Sequence, residues 1–559
     1  MLIFLLPIGL FLFRTISGPG EAAAVADTGG AGTAAAAPDT TALGALFRVL
    51  SSPATWRTVG FTFAQAAASA AAGVLLAVPG AWIISHFDFP LRGLLRSLSL
   101  LPFILPSIVV VLAMISFFGR NGLLASLFDV RSSLIYSVPG IVLAHVFYDF
   151  SLAMRIIADR WSQIDPRLEE AAASLGDSRR RTFFRVTLPL LTPAIVAGFV
   201  LVFIYSFLSF GIVLVFGGLS NATIEVQIYR EMFVNFDEAA AGGLTLLQLV
   251  LTGVLFAFAG RWMGRAVISP GAQLRPLVLL RRARPASRVL VASIAGVLLV
   301  FVAGPIVTMA VRALTDSGTV SLEPLLALFS GARGTLRSAA SIVQSSIPLV
   351  ILRSLGLALA AGALSFTFAL VIALSLHGKR AHFFDTAFLV PLGLSIVTVA
   401  LSLHDAYDGI LHPALVVVLA QFFVALPTTY RIMRTSVEGL DRSYIESAQA
   451  LGAGRAVAFV TVTAPMLRYG FANAFAYALA LPFADFTAVM TAGAGEITTF
   501  PVAIYRLMGF RSFDQGIVLG LVYILMCLVI FSFLDRSSRP RVRLAGATDG
   551  EPAPVEAKR

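Results

Sequence analysis

Two stretches of this chain repeat each other at one fixed separation, and that separation limits the possible folds more than any other feature. The first, Glu169–Leu191, reads EEAAASLGDSRRRTFFRVTLPLL, and the second, Ile445–Leu467, reads IESAQALGAGRAVAFVTVTAPML. Glu170 aligns with Glu446, Ala172 with Ala448, Leu175 with Leu451, Gly176 with Gly452, Arg179 with Arg455, Thr187 with Thr463 and Pro189 with Pro465, each pair 276 positions apart. The register extends outward: Arg155 with Arg431, Asp165 with Asp441, and IYREM at 228–232 with IYRLM at 504–508 keep the same 276. One offset held across a loop, a helix and another loop marks two homologous halves.

The medium follows from composition. The chain is 58% hydrophobic and 13% charged, with a net charge of +11, whereas ordinary globular domains carry about 25% charged residues. These numbers describe an all-α polytopic membrane protein. Apolar spans are expected near 57–84, 97–118, 138–158, 188–215 and 241–260, then near 289–312, 350–376, 385–403, 412–433, 466–490 and 514–534. With the apolar opening MLIFLLPIGLFLFRTISG this gives about twelve spans, six per half, each roughly long enough for ~30 Å of hydrocarbon. The opening lacks a basic n-region and reads as an uncleaved helix. Residues 21–40, rich in Ala, Gly, Thr and Asp, read as a polar low-complexity loop. The single cysteine, Cys527, allows no disulfide within the chain.

The positive charge sits in short clusters between apolar runs, which argues against nucleic acid and for membrane orientation. Arg92 and Arg96, Arg179–Arg181 with Arg185, Arg261 through Arg288, Lys379–Arg380, Arg431 through Arg455, and Arg536 through Arg541 fall on one side. That side is expected to be cytoplasmic, with both termini, and the repeats are then parallel, related by an axis along the membrane normal. The expected division is a first half at 1–260, a basic linker at 261–288, a second half at 289–535 and a tail at 536–559.

The repeated segment has the chemistry of an elbow, near 165–187 and 441–463. Glu169 and Glu170 stand in the first turn of a short helix, where its dipole favours them. Gly176 can adopt a positive φ and end that helix sharply, and a second short helix leads to Pro189. An amphipathic elbow resting on anionic headgroups is the simpler alternative, but the second copy carries Arg455 alone and fits it less well.

Glu170-Ala171-Ala172, Gly176 and Leu188-Pro189 resemble the EAA loop of permease subunits of bacterial ABC importers, and Glu446-Ser447-Ala448, Gly452 and Ala464-Pro465 resemble it again. The resemblance implies that each elbow is a coupling helix seated in a cytoplasmic ATPase, so that Glu170, Ala171, Ala172, Gly176, Glu446, Ala448 and Gly452 couple transport to ATP. It implies a fused permease of the bacterial inner membrane, served by two ATPase copies and a periplasmic substrate-binding protein. The chain has no G-x-x-x-x-G-K-[ST] loop, so ATP-Mg is expected on the partner and no cofactor on this chain. Fused permeases of this kind resemble thiamine or ferric-iron importers. AHVFYDFSLAMR at 144–155 and TTFPVAIYRLMGFRSFDQG at 498–516 look more like the thiamine group. A membrane-embedded enzyme would need clustered ionisable groups within the spans, and few are present.

Intramembrane ionisable residues default to functional hypotheses. Asp485, with repeat partner Ser209, is the leading pore candidate. Pro482 and Phe486 share its helical face, as Ser206 and Phe210 share that of Ser209, and Tyr477 could add a cation–π contact. The alternatives are that Asp485 only caps a helix and that Ser209 is packing glue. His145 and Asp149, spaced i,i+4, read as a buried pair stabilising one helix. His404, Asp405, Asp408 and His412 read as polar residues of a periplasmic turn, and no metal site is expected.

Overall fold

The computed structural model describes residues 42–538 apart from 264–276, 331–341, 376–394 and short gaps at 100, 129–133, 219, 317–318, 344, 441, 494 and 510–511. The expected N-terminal helix, the 21–40 loop, much of the linker, the Lys379–Arg380 cluster, Asp441 and most of the tail lie outside the described residues.

The first half runs α1 Ala42–Ser51, α2 Pro53–His86, β1 Phe87–Asp88, α3 Arg92–Leu98, α4 Leu101–Ile104, α5 Ser107–Phe118, α6 Leu123–Phe128 and α7 Val138–Trp161. It continues through α8 Pro166–Ser174, α9 Arg179–Thr182, a π turn Phe183–Thr187, α10 Leu188–Phe207, α11 Gly211–Phe216, α12 Ile224–Phe233 and α13 Glu238–Met263. The second half opens with β2 Val278–Leu279, α14 Pro285–Ala313, the strands β3 Thr315–Asp316 and β4 Thr319–Val320, α15 Glu323–Ser330, α16 Ile347–Ser375, α17 Ile396–Tyr407 and α18 Pro413–Glu438. Then come α19 Arg442–Ala450, α20 Arg455–Ala458, a π turn Phe459–Thr463, α21 Ala464–Ala484, α22 Thr487–Ala492, α23 Phe500–Gly509 and α24 Phe513–Ser538.

From α8 to α12 every helix start recurs 276 positions later in α19 to α23, both π turns included. Even a cap recurs between α2 and α16. Thr62 Oγ1 accepts the Ile224 N–H at 3.1 Å at the start of α12, and Ser354 Oγ accepts the Phe500 N–H at 2.8 Å at the start of α23. Among the described residues nine helical stretches are long and apolar enough to cross a membrane. α21 repeats α10, and α17 is a shorter apolar helix of 12 residues.

Three expected spans are interrupted. The stretch 97–118 breaks into α3, α4 and α5 beside Pro102 and Pro106, because proline removes an N–H and turns its predecessor away from the helix. The stretches 188–215 and 466–490 break at 208–210 and 485–486. Pro482 precedes the second break, but its counterpart is Ser206, so proline does not cause both. Packing at the interface between the halves is the shared feature.

The halves interleave. β2 pairs in parallel with β1, Phe87 opposite Val278, and α14 then lies against the first half. Phe301 meets Phe147 and Phe150 edge-on at 5.7 and 5.9 Å. Gly80 leaves room there: a Cβ on it would stand 2.6 Å from Met154 Sδ and 3.0 Å from Leu298 Cδ1. One apolar core takes residues from α5, α11 and α12 together with α17, α22, α23 and α24, so both halves share it.

Candidate functional site

The elbows come first in the chain and agree in backbone detail. Asp165 begins α8, its Oδ1 accepting the Arg167 N–H at 2.9 Å. At the other end Gly176 takes φ +90°, its N–H donating to the Ala173 carbonyl at 3.0 Å and that of Asp177 to Ala172 at 3.1 Å. Gly452 also takes φ +90°, with Gly452 donating to Gln449 at 2.9 Å and Ala453 to Ala448 at 3.1 Å. This is the glycine-terminated helix stop that satisfies the last carbonyls. The residue before each glycine points outward: Leu175 is 90% exposed and Leu451 89%. Glu170 and Glu446 are exposed, and Ala172 is buried. Thr187 Oγ1 donates to Glu169 Oε1 at 2.9 Å, and Arg185 pairs with Asp177 at 3.3 Å. The second elbow has Ile445, Thr461 and Ala453 at those places. The shared part is the turn and its leucine, and the polar bracing belongs to the first copy.

The second feature lies where the halves meet. Phe210 and Phe486, repeat partners, stack with ring centroids 6.0 Å apart and planes at 29°. Both are buried. Tyr229 meets Phe210 at 5.3 Å, and its counterpart Tyr505 meets Phe486 at 5.5 Å. The four rings form a pseudo-symmetric set. Gly211 permits the approach, since a Cβ there would stand 2.4 Å from Ser107 Oγ and 3.2 Å from Phe486 Cδ1. The tyrosines sit in the IYREM and IYRLM repeats, so the sequence carried their signal without their role.

The pore candidates flank these rings. Asp485 Oδ1 accepts the Ala488 N–H at 3.1 Å and so caps α22, the simpler of its two expected roles. Its Oδ2 is buried without a hydrogen-bond partner. Ser209 offers its carbonyl to Thr223 Oγ1 at 3.2 Å. The carbonyls of Ser206 and Pro482 are both satisfied by glutamine, Gln65 at 2.8 Å and Gln421 at 3.0 Å. The glutamines are not repeat partners: Gln65 is on α2, Gln421 on α18. The counterpart of Gln421 is His145, which turns instead to Ser69 on α2, Nδ1 to Oγ 3.3 Å. The expected His145–Asp149 pair is therefore not hydrogen-bonded, and both Asp149 carboxylate oxygens are buried without a partner. Tyr477 is 47% exposed and stands on α21 two turns before Asp485, the residue that follows the helix.

Sequence reasoning missed Glu225. It is buried in the first turn of α12, its Oε1 accepting from Gln248 Nε2 at 2.5 Å and its Oε2 from Ser395 Oγ at 2.6 Å. Burial pushes its carboxyl up to about 7, against the two hydrogen bonds that favour the charged form. Of the other polar group, His404 and Asp405 lie within α17 and not in a turn. His404 meets the Phe233 ring at 5.9 Å, and His412 Nδ1 accepts the Ala414 N–H at 3.2 Å, capping α18. Among the described residues no three His, Cys, Asp or Glu side chains gather as a metal site would need.

Two parallel repeats, two matching elbows and a shared central interface define a transport permease. The chain belongs to the family of binding-protein-dependent transport system inner membrane components, whose pattern matches residues 25–269 and 365–544. It is the permease component of a binding-protein-dependent ABC transporter. Its relatives include the thiamine transport system permease protein ThiP of Brucella abortus, 28% identical over 545 residues covering 96% of this chain and 95% of that one. ThiP of Escherichia coli K12 is 28% identical over 505 residues, 86% of this chain and 89% of that one. A probable sulfate transport permease of Helicosporidium is 33% identical over 181 residues, 32% of this chain and 67% of that one.

Proposed function

We propose that this permease carries thiamine into the cell, with two copies of a cytoplasmic ATPase, one on each elbow, and a periplasmic binding protein that delivers the substrate. The single observation that carries the coupling is the twin elbow: the same φ +90° glycine and the same leucine, 90% and 89% exposed, at both copies. A single exposed apolar residue is ordinary, but the same leucine kept outward on the same turn in both halves supports docking. The thiamine assignment is supported by relatives bearing that name along 96% of the chain.

In this reading both termini face the cytoplasm, and Phe210 and Phe486 form the gate. Closure of the ATPase dimer draws the elbows together and parts the rings. The ATPase must distinguish the closed and open states energetically for coupling to exist. An aromatic pair contributes ~0.5–1.5 kcal/mol beyond area burial, small enough to be broken in each cycle. Asp485, beside the gate, meets the cationic ring of the substrate, and Phe210, Phe486, Tyr229 and Tyr505 offer it π faces, each worth ~0.5–2 kcal/mol to a cation.

The test is ATP hydrolysis by the purified complex. Thiamine-loaded binding protein should stimulate it several-fold. Stimulation by a ferric-loaded binding protein and not by the thiamine-loaded one would leave the permease in place and remove the substrate.

A further inference from the structure

The two sides of the central interface are not equivalent, and Glu225 is where they differ. Its carboxylate belongs to α12 of the first half, and its partner Ser395 begins α17 of the second. Ser395 Oγ donates to Glu225 Oε2 at 2.6 Å while accepting the Thr398 N–H at 3.1 Å, so one hydroxyl caps α17 and ties it to α12. The other carboxylate oxygen is anchored within its own half by Gln248 at 2.5 Å. Phe233 and His404 continue the α12–α17 contact at 5.9 Å.

The counterpart of Glu225 on α23 is Pro501, 276 positions on, which has neither a polar side chain nor an N–H. Glu225 is one turn before Tyr229 on the same face of α12, and Tyr229 touches Phe210. On the opposite side Tyr505 touches Phe486, but position 501 offers no such tie.

We propose that Glu225 and Ser395 form a one-sided latch: Glu225 is a positioning residue that holds α12, and through Tyr229 the Phe210–Phe486 pair, in the closed arrangement. The inference rests on the proposed parting of the halves. When they part, Ser395 leaves the carboxylate, whereas α23 has no matching bond to break. A hydrogen bond is worth roughly 2- to 10-fold in an equilibrium constant, and more when its partner is charged, so the latch biases the ratio of closed to open by at least about that factor. The side carrying α23 then yields first.

The experiment places nitroxide labels at Asn235 and Asp408, exposed residues just beyond the ends of α12 and α17, in the full chain assembled with its ATPase. The distance distribution is measured by pulsed electron paramagnetic resonance. In the wild type the labels stay at one short distance without ATP and move apart with ATP and loaded binding protein. Ser395→Ala removes one oxygen atom and should raise the long-distance population without ATP by roughly 2- to 10-fold or more. Ser395→Thr keeps the hydroxyl and should restore the short distance, which a purely structural defect would not do. An unchanged distribution in both Ser395→Ala and Glu225→Gln, with the wild type opening normally, overturns the latch. If the wild-type labels never separate during ATP-driven uptake, the parting of the halves fails, and the latch fails with it.

Discussion

Phe210 and Phe486 occupy the same place in the two halves of the chain and stack on each other at 6.0 Å, so the pseudo-twofold axis passes between two copies of one side chain. In a contact built from a residue and its own repeat partner, the two rings are interchangeable even though their surroundings differ. Weakening either ring weakens the same contact.

Phe210→Leu and Phe486→Leu should therefore act alike. Each removes the ring pair, worth ~0.5–1.5 kcal/mol, and keeps most of the apolar volume. Thiamine preloaded into liposomes should leak through either variant roughly 2- to 10-fold faster without ATP. A leak confined to one variant would mean that the rings do not act as a pair.

Gly176→Val and Gly452→Val test the elbows. A Cβ at either position meets nothing within 4 Å, so the strain lies in the φ of +90° alone. A non-glycine residue held there costs ~1–3 kcal/mol, which the exposed elbow relieves by changing shape. Membrane insertion and thermal stability should stay near wild type, and stimulated ATP hydrolysis should fall. Full stimulation in both variants would show that the turn is not a coupling element.

Asp485→Asn separates charge from structure. Asparagine caps helices about as well as aspartate, so the bond to the Ala488 N–H survives. Uptake should slow while binding-protein docking and basal ATP hydrolysis persist, and Ser209→Ala should cost less. Uptake at the wild-type rate in Asp485→Asn would reduce the residue to its cap.

The buried Glu225 predicts a pH dependence. Its carboxyl is raised to about 7 in the closed state by burial, and in an open, hydrated state it would return to the ordinary range near 4.3. The state with the higher pKa is favoured by protons. The closed state thus has its full advantage below the ordinary value and loses it as pH rises through about 7. The ionisable groups on the elements around it are Tyr229, Arg230 and Glu231 on α12, Glu238 and Arg261 on α13, Arg57 and His86 on α2, and His404, Asp405 and Tyr407 on α17. The partners bonded to Glu225, Gln248 and Ser395, are uncharged. Opening measured by the Asn235–Asp408 label distance should be greater at pH 8 than at pH 6. In Glu225→Gln it should not vary over that range, and a persistent slope would assign the titration to another of these groups.

The repeats were legible because one offset aligned them, and both glycines named their own conformation. The sites where the chain breaks were less legible. Ser206 stands where the other half has Pro482, so no local signal marks the break after Phe207, and the stacked Phe210 and Phe486 lie beside both breaks. Gln65 and Gln421 were invisible as a pair because they serve equivalent carbonyls from helices that are not equivalent. Glu225 and Ser395 lie 170 positions apart, and Pro501 interrupts the repeat pattern at the position matching Glu225.

The most direct measurement of the central claim is ATP-driven accumulation of labelled thiamine in proteoliposomes holding the chain, its ATPase and its binding protein. The account predicts accumulation against a gradient with ATP inside the compartment that holds the ATPase. It also predicts loss of accumulation when either Gly176 or Gly452 is replaced by valine, since both elbows must move. Absence of thiamine accumulation by a complex that hydrolyses ATP and accumulates ferric iron would contradict the substrate. Undiminished accumulation with both elbows altered would contradict the coupling on which the account depends.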